Sequence, residues 1–210
     1  MAKPQRFITE DKDILATINK LCMHHKISTH KVDFKDYNGV DSLLASIDTE
    51  IQNPEVMTLA VVIDADEDLI SRWQSLKNTL SACGYQTVPA TPDPAGTILF
   101  GNRLPILGIW LMPNNQQPGM VEDFIAYLIP SNDRLWPRAQ QVVQQIPEPE
   151  RNFNRIIKAQ IRTWLAWQKE PGRPFGTAIE SGDLDANAPH AQQFVDWLRR
   201  LFDIEVNSLQ

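Results

Sequence analysis

The hydrophobic pattern of the first half of the chain switches repeatedly between short continuous runs and helical spacing. Three segments have the pattern of strands: 6–9, 30–34 and 56–63. Three others carry apolar residues at the spacing of an amphipathic helix: 12–26, 40–51 and 69–80. The third strand is an unbroken apolar run, which is typical of a strand covered on both faces of a parallel sheet. The order βαβαβα predicts an α/β fold with a mostly parallel, doubly wound central sheet flanked by helices.

Proline and glycine mark the boundaries in the second half of the chain. Loops are predicted at 89–96 and 113–119, and strands at 97–100 and 106–112. Four helices are predicted after the second loop: 120–128, 138–146, 151–168 and 190–203. The pattern divides the chain into an α/β core over 1–130 and a helical extension over 131–210 that packs on the core, or forms one continuous domain with it.

Composition and charge narrow the class of protein. The chain has 210 residues and a formal net charge of −6, which argues against indiscriminate binding to nucleic acid but permits a local basic face. No apolar run is long enough to cross a bilayer, and the N-terminal residues lack the apolar segment of a signal peptide. Cys22 and Cys83 form neither a disulfide framework nor a zinc-type spacing. A reducing cytoplasm is therefore expected.

Acidic side chains follow the predicted strands where each strand ends. They are Glu10 and Asp13 after the first strand, Asp64 and Asp66 after the third, and Glu122 after the strand at 106–112. Ligands of parallel α/β sheets bind at the carboxyl ends of the strands. Two aspartates separated by one residue in an extended chain can point to the same side and share one cation. Carboxylates without a histidine or cysteine cluster favour Mg²⁺ or Mn²⁺ over zinc, so the sequence predicts such a site here.

These acids also permit other interpretations. Glu67 and Asp68 are better explained as the cap and first turn of the third helix. A response-regulator receiver would need a lysine at the end of its last strand, where this chain has Met112. A phosphatase of the haloacid dehalogenase type carries its DxD motif on the first strand, whereas here the motif follows the third. Both alternatives are disfavoured.

The acidic pattern resembles the TOPRIM domain of topoisomerases, primases and OLD-family nucleases. FITEDKDI (7–14) resembles the TOPRIM segment with a glutamate at the end of the first strand, and VVIDADED (61–68) resembles its DxD motif. The whole chain is similar to a family of small bacterial TOPRIM-like proteins, most specifically in GIWLMPNNQQPGMVEDF (108–124) and WLAWQKEPGRPFGTAI (164–179). The resemblance implies a Rossmann-like TOPRIM fold.

The resemblance also implies roles for the acids. Glu10 would act as general acid or base, and Asp64 and Asp66 would hold Mg²⁺ beside a phosphodiester. Asp13 and Glu122 would contribute to a second ion, as in two-metal nucleases. The chain departs from the TOPRIM pattern at Asp11 and Ile14 of the first motif and lacks the glycine after DxD. The expected function is therefore Mg²⁺-dependent action on nucleic-acid phosphodiesters, together with an ATPase partner, or alternatively a non-catalytic TOPRIM-like interaction module.

Basic residues are concentrated between 134 and 173. Five of them, at near-helical spacing, form a stripe: Arg151, Arg155, Lys158, Arg162 and Lys169. The stripe is either the solvated face of an amphipathic helix or a surface for a phosphate backbone, with DNA favoured over RNA. Lys169 lies in the family-like QKEPG turn and is the predicted catalytic lysine.

Overall fold

A computed structural model describes residues 4–203 of the chain. This part contains a five-stranded sheet flanked by helices, so the predicted α/β class is confirmed. The strands are β1 (Gln5–Thr9), β2 (Val32–Asp36), β3 (Thr58–Asp64), β4 (Thr97–Leu99) and β5 (Ile106–Met112). The helices are α1 (Lys12–His24), α2 (Val40–Ile51), α3 (Leu69–Ala82), α4 (Val121–Tyr127), α5 (Trp136–Gln144), α6 (Ile156–Ala166), α7 (Phe175–Ser181) and α8 (Pro189–Phe202).

The sheet has the order β2-β1-β3-β5-β4, in which only the short edge strand β4 is antiparallel. β3 and β5 are buried along their whole length because both of their faces are covered, and the polar residues of the two strands are Thr58 and Asp64 at the ends of β3. Side chains alternate between the faces, so Leu59, Val61 and Ile63 pack towards α2 and α3, whereas Ala60 and Val62 face the other layer. By the same alternation Asp64 belongs to that other layer, which contains α1 and α4 to α8.

The C-terminal helix α8 covers one face of the sheet at very close range. A Cβ atom placed on Gly108 of β5 would lie 2.3 Å from a methyl carbon of Leu201, so only glycine allows this approach. Trp197 of the same helix packs against Trp110 at a ring separation of 5.5 Å. Residues before and after position 130 thus share one hydrophobic cluster. The predicted division near 130 stays a prediction.

Two helices of the second half of the chain differ from the expectations. The segment predicted as one long helix over 151–168 begins only at Ile156, after a short 3₁₀ turn at Glu148–Glu150. α7 was not predicted. It packs against α1 so closely that a Cβ on Gly176 would lie 2.8 Å from the carbonyl oxygen of Ala16, and this tertiary contact outweighs its weak helical pattern. Within residues 4–203, no helix is long and apolar enough to cross a membrane.

Candidate functional site

The parallel register brings the ends of β1 and β3 side by side. Thr9 is paired with Val62, so Glu10 emerges next to the last residues of β3. Its Oε1 accepts a hydrogen bond from the backbone N–H of Asp64 at 2.6 Å. Two acids that are 54 positions apart in the chain therefore lie together at the carboxyl edge of the sheet.

Asp64 is almost completely buried, with 8% of its surface exposed. Its Oδ1 accepts a hydrogen bond from the backbone N–H of Val121 at 2.9 Å, which anchors the start of α4 to the end of β3. Burial, followed by the negative charges of Glu10 and Glu122, raises the pKa of Asp64 well above its ordinary value. Within the described residues, no arginine or lysine contacts this carboxylate.

The carboxylate of Glu10 likewise has no arginine or lysine in contact with it within the described residues. Burial raises its pKa to about 7, and the charges of Asp66 and Asp11 add to the effect. The hydrogen bond from Asp64 N–H and the more distant charge of Arg72 oppose the shift without cancelling it. Glu10 and Asp64 are thus two neighbouring carboxyl groups, the first partly and the second almost completely buried, that form no ion pair with residues 4–203.

Asp66 is oriented differently from the expectation. Its backbone lies in the left-handed region, with φ at 56°, so the chain is not extended through the DxD motif. Reciprocal backbone hydrogen bonds join Asp66 to Gly119 at 2.8 and 2.7 Å. Its carboxylate contacts Arg72 at 2.7 Å and Arg155 at 3.4 Å. Asp66 is therefore already paired with two guanidinium groups.

The basic stripe lies across the acidic edge rather than facing only solvent. Arg155 also pairs with Glu67 at 2.9 Å, because it stands at the N-terminal end of α6 above the β3–α3 loop. Lys158 and Arg162 follow at helical spacing on the same face. Lys158 contacts the carboxylate of Glu122 at 3.3 Å, and Arg162 contacts that of Asp13 at 2.6 Å.

The remaining predicted residues lie outside this arrangement. Arg151 precedes α6, and its side chain donates to the carbonyl of Ile146 at 2.8 Å. Lys169 is exposed beyond the C-terminal end of α6 and forms no hydrogen bond or ion pair with residues 4–203. Asp68 caps α3 by accepting from the N–H groups of Ile70 and Ser71, as predicted.

An open pocket of about 450 Å³ adjoins the DxD motif. Its lining includes both arginines that hold Asp66, and the complete set is Ala65, Asp66, Glu67, Asp68, Ser71, Arg72, Ser75 and Arg155. The Nε–H of Arg72 is buried without a hydrogen-bond partner in the described part of the chain. The pocket therefore combines two arginines with three acidic residues and two serine hydroxyl groups.

Comparison with known proteins places the chain in a family. Residues 4–203 match the family described as "Protein of unknown function (DUF3226)". The chain belongs to the DUF3226 family. No curated protein and no solved structure matches it.

The predicted ligands of a divalent metal ion differ in whether a cation of the protein already contacts them. Among residues 4–203, no group of three or more Asp, Glu, His or Cys side chains is arranged to hold a metal. Asp13, Asp66 and Glu122 are each paired with a cation of the protein. Glu10 and Asp64 remain, and two carboxylates completed by water and phosphate oxygens are a usual environment for Mg²⁺. The chemistry of this pair is compatible with Mg²⁺, and the set of five ligands stays a prediction.

The sequence pattern does not predict the two arginines as partners of Asp66. It does not single out Arg72, and it places Arg155 only in the basic stripe. Their relation to Asp66 depends on the left-handed turn at that residue and on the position of α6. The spacing of Arg72, six residues after Asp66 and hence in the second turn of α3, was the one available signal.

Proposed function

We propose that this DUF3226 protein is a Mg²⁺-dependent, TOPRIM-type protein that acts on nucleic-acid phosphodiesters. The observation that carries the proposal is the pairing of Glu10 with Asp64 at the ends of two adjacent parallel strands. The resemblance of the two sequence motifs to TOPRIM domains supports it, and so does the raised pKa of both carboxyl groups.

In this proposal Glu10 and Asp64 hold one Mg²⁺ ion together with water. The ion, when bound, would stabilise negative charge on a phosphodiester oxygen. The pKa of about 7 belongs to Glu10 without the ion; the charge of Mg²⁺ would lower it, so that Glu10 would hold the ion as a carboxylate. Lys158 and Arg162 flank the acidic edge and would position the phosphate backbone. Cooperation with an ATPase belongs to the proposal by likeness to TOPRIM nucleases alone, and a cytoplasmic location follows the expectation from Cys22 and Cys83.

The test is a plasmid-nicking assay with Mg²⁺ or Mn²⁺ that compares the wild type with Asp64→Asn and Glu10→Gln. Both variants keep the oxygen that accepts the backbone hydrogen bond, so they should fold. We expect each to lower the nicking rate by about a hundredfold or more. Asp196→Asn serves as the control, because Asp196 is exposed on α8 and pairs only with Arg199 of the same helix. Equal nicking by Asp64→Asn and the wild type would refute the assigned site.

The second candidate is a non-catalytic interaction module with the same fold. It is favoured by the internal pairing of Asp13, Asp66 and Glu122, which leaves only two acids free for a metal. Titration with Mn²⁺ followed by calorimetry separates the two candidates. Binding that disappears in Glu10→Gln supports the metal-dependent protein, whereas identical titration curves for the wild type and Glu10→Gln support the module.

A further inference from the structure

Asp66 is held by two guanidinium groups that come from different parts of the fold. Arg72 reaches it from the second turn of α3, and Arg155 reaches it from the start of α6. Guanidinium groups are suited to carboxylate and phosphate oxygens because their N–H donors form a planar fork. Two of them directed at one carboxylate create a site for an anion, and the anion now in it is part of the chain.

The surroundings provide room and further donors for an external anion. The pocket of about 450 Å³ is many times larger than the roughly 30 Å³ taken by a water molecule. Ser71 and Ser75 place hydroxyl groups along its wall, of which the hydroxyl of Ser71 already donates to Asp68 at 2.7 Å.

The other acids of the pocket limit this affinity without removing it. Glu67 is 82% exposed on its side chain and pairs with Arg155 at 2.9 Å, so it competes for one arginine. Asp68 is occupied by the N-terminal N–H groups of α3 and by the hydroxyl of Ser71. Asp66 is therefore the acid of this pocket that contacts both arginines, although Glu67 lies nearer to Arg155.

We propose that Arg72 and Arg155 form a phosphate-binding clamp beside the Glu10–Asp64 pair, and that Asp66 is the internal anion which a phosphate group displaces. The identification of this phosphate as part of a nucleic-acid backbone rests on the proposed function. The clamp itself rests on the two arginines and their pocket.

The clamp is tested by binding of inorganic phosphate in the absence of divalent metal. Phosphate is titrated while the Nε–H signals of the arginines are followed by NMR. Asp66→Asn should bind phosphate about tenfold more tightly than the wild type, because it removes the competing charge. Asparagine is tolerated in the left-handed region, so this variant keeps its backbone bridge to Gly119. Adding Arg155→Gln to Asp66→Asn should abolish the gain.

Matched controls separate the clamp from general charge effects. Asp196→Asn removes one exposed negative charge on α8, and Arg138→Gln removes one exposed positive charge on α5; neither should change phosphate affinity more than twofold, on the order of a screened surface charge. A gain of similar size in Asp196→Asn and Asp66→Asn would overturn the proposal. So would phosphate binding by Asp66→Asn that survives both Arg72→Gln and Arg155→Gln.

The source of the phosphate is distinguished with short oligothymidylates, with and without a 5′-phosphate. Equal binding of both by Asp66→Asn indicates an internal phosphodiester, whereas binding of only the phosphorylated form indicates a terminal monoester. The clamp and the proposed function fail separately. If phosphate binding does not depend on the arginines but Mg²⁺-dependent nicking is intact, the clamp alone is refuted. If phosphate binding depends on the arginines but Mg²⁺-dependent nicking is absent, the nuclease-like function alone is refuted.

Discussion

Oε1 of Glu10 accepts the backbone N–H of Asp64 at 2.6 Å, and this bond joins the ends of β1 and β3. The bond places the carboxylate of Glu10 directly beside Asp64. Neither carboxylate touches an arginine or lysine within the described residues, although four cations lie around the same edge of the sheet. The uncompensated charge of this pair should be measurable as a cost in stability.

Asp64→Asn is expected to stabilise the protein at pH 7.5. The raised pKa of Asp64 means that its ionised form is disfavoured in the folded state, and asparagine keeps the bond to Val121 N–H without the charge. We expect the free energy of unfolding to rise by about 1–3 kcal/mol, the scale of an uncompensated buried polar group. Urea denaturation without divalent metal measures it. A loss of stability in Asp64→Asn, with Asp196→Asn unchanged, would contradict the account of an uncompensated charge.

The pH dependence of stability should reveal Glu10. Its pKa rises from 4.5 in the unfolded chain to about 7 in the fold, so the folded state binds more protons between these values. Stability therefore falls as the pH rises from 4.5 to about 7 and is constant, as far as this group is concerned, above that range.

The measurement compares the free energy of unfolding of the wild type and Glu10→Gln across this range. The advantage of the variant should grow with pH and approach about 3 kcal/mol at its upper end, from about 1.4 kcal/mol per pKa unit. Because Glu10 also raises the pKa of Asp64, the difference reports on the interacting pair. A difference that is independent of pH between 4.5 and 7 would show that Glu10 is not perturbed.

The fold was predictable to the extent that local patterns determine it. The β-branched run of β3 and the spacing of Leu69, Trp73, Leu76 and Leu80 define elements that the structure confirms. β2 begins at Val32 rather than His30 because a turn is closed by the bond from Val32 N–H to the carbonyl of Thr29. α7 depends on close contact with α1, which no local pattern indicates.

The candidate site likewise has contacts that the sequence predicts and contacts that it does not. The meeting of Glu10 with Asp64 follows from strand order, since parallel strands end at one edge. The pairing of Lys158 with Glu122 does not, because it joins residues 36 positions apart whose contact depends on how α6 crosses the sheet edge. A stripe of basic residues has the same sequence pattern whether it faces solvent or acids.

Mg²⁺ should stabilise the wild type against heat. A ligand at ten times its dissociation constant that binds only the folded state adds about 1.4 kcal/mol to the free energy of unfolding. Differential scanning calorimetry with and without Mg²⁺ measures this as a rise in Tm. The rise should vanish in Glu10→Gln and Asp64→Asn and persist in Asp196→Asn. A rise of equal size in Glu10→Gln would place the ion elsewhere.

Lys158 should contribute strongly to the stability of the fold through its ion pair with Glu122, although the lysine side chain is 57% exposed. Glu122 has only 3% of its side chain exposed, and Lys158 is its ion-pair partner in the described structure. Lys158→Ala leaves a buried carboxylate unpaired beside Asp64, so we expect a loss of about 1–3 kcal/mol in the free energy of unfolding. Arg138→Ala removes an exposed cation from the neighbouring helix α5 and should cost much less.

A double-mutant cycle with Glu122→Gln isolates the pair from other effects of Lys158→Ala. Glutamine cannot carry the charge that makes the loss of Lys158 costly, so Lys158→Ala should cost little in the Glu122→Gln background. The interaction free energy from the cycle should be at least about 0.5 kcal/mol. If both backgrounds lose the same free energy, Lys158 stabilises α6 by packing alone, and the neutralisation of the acidic edge by this helix does not extend to Glu122.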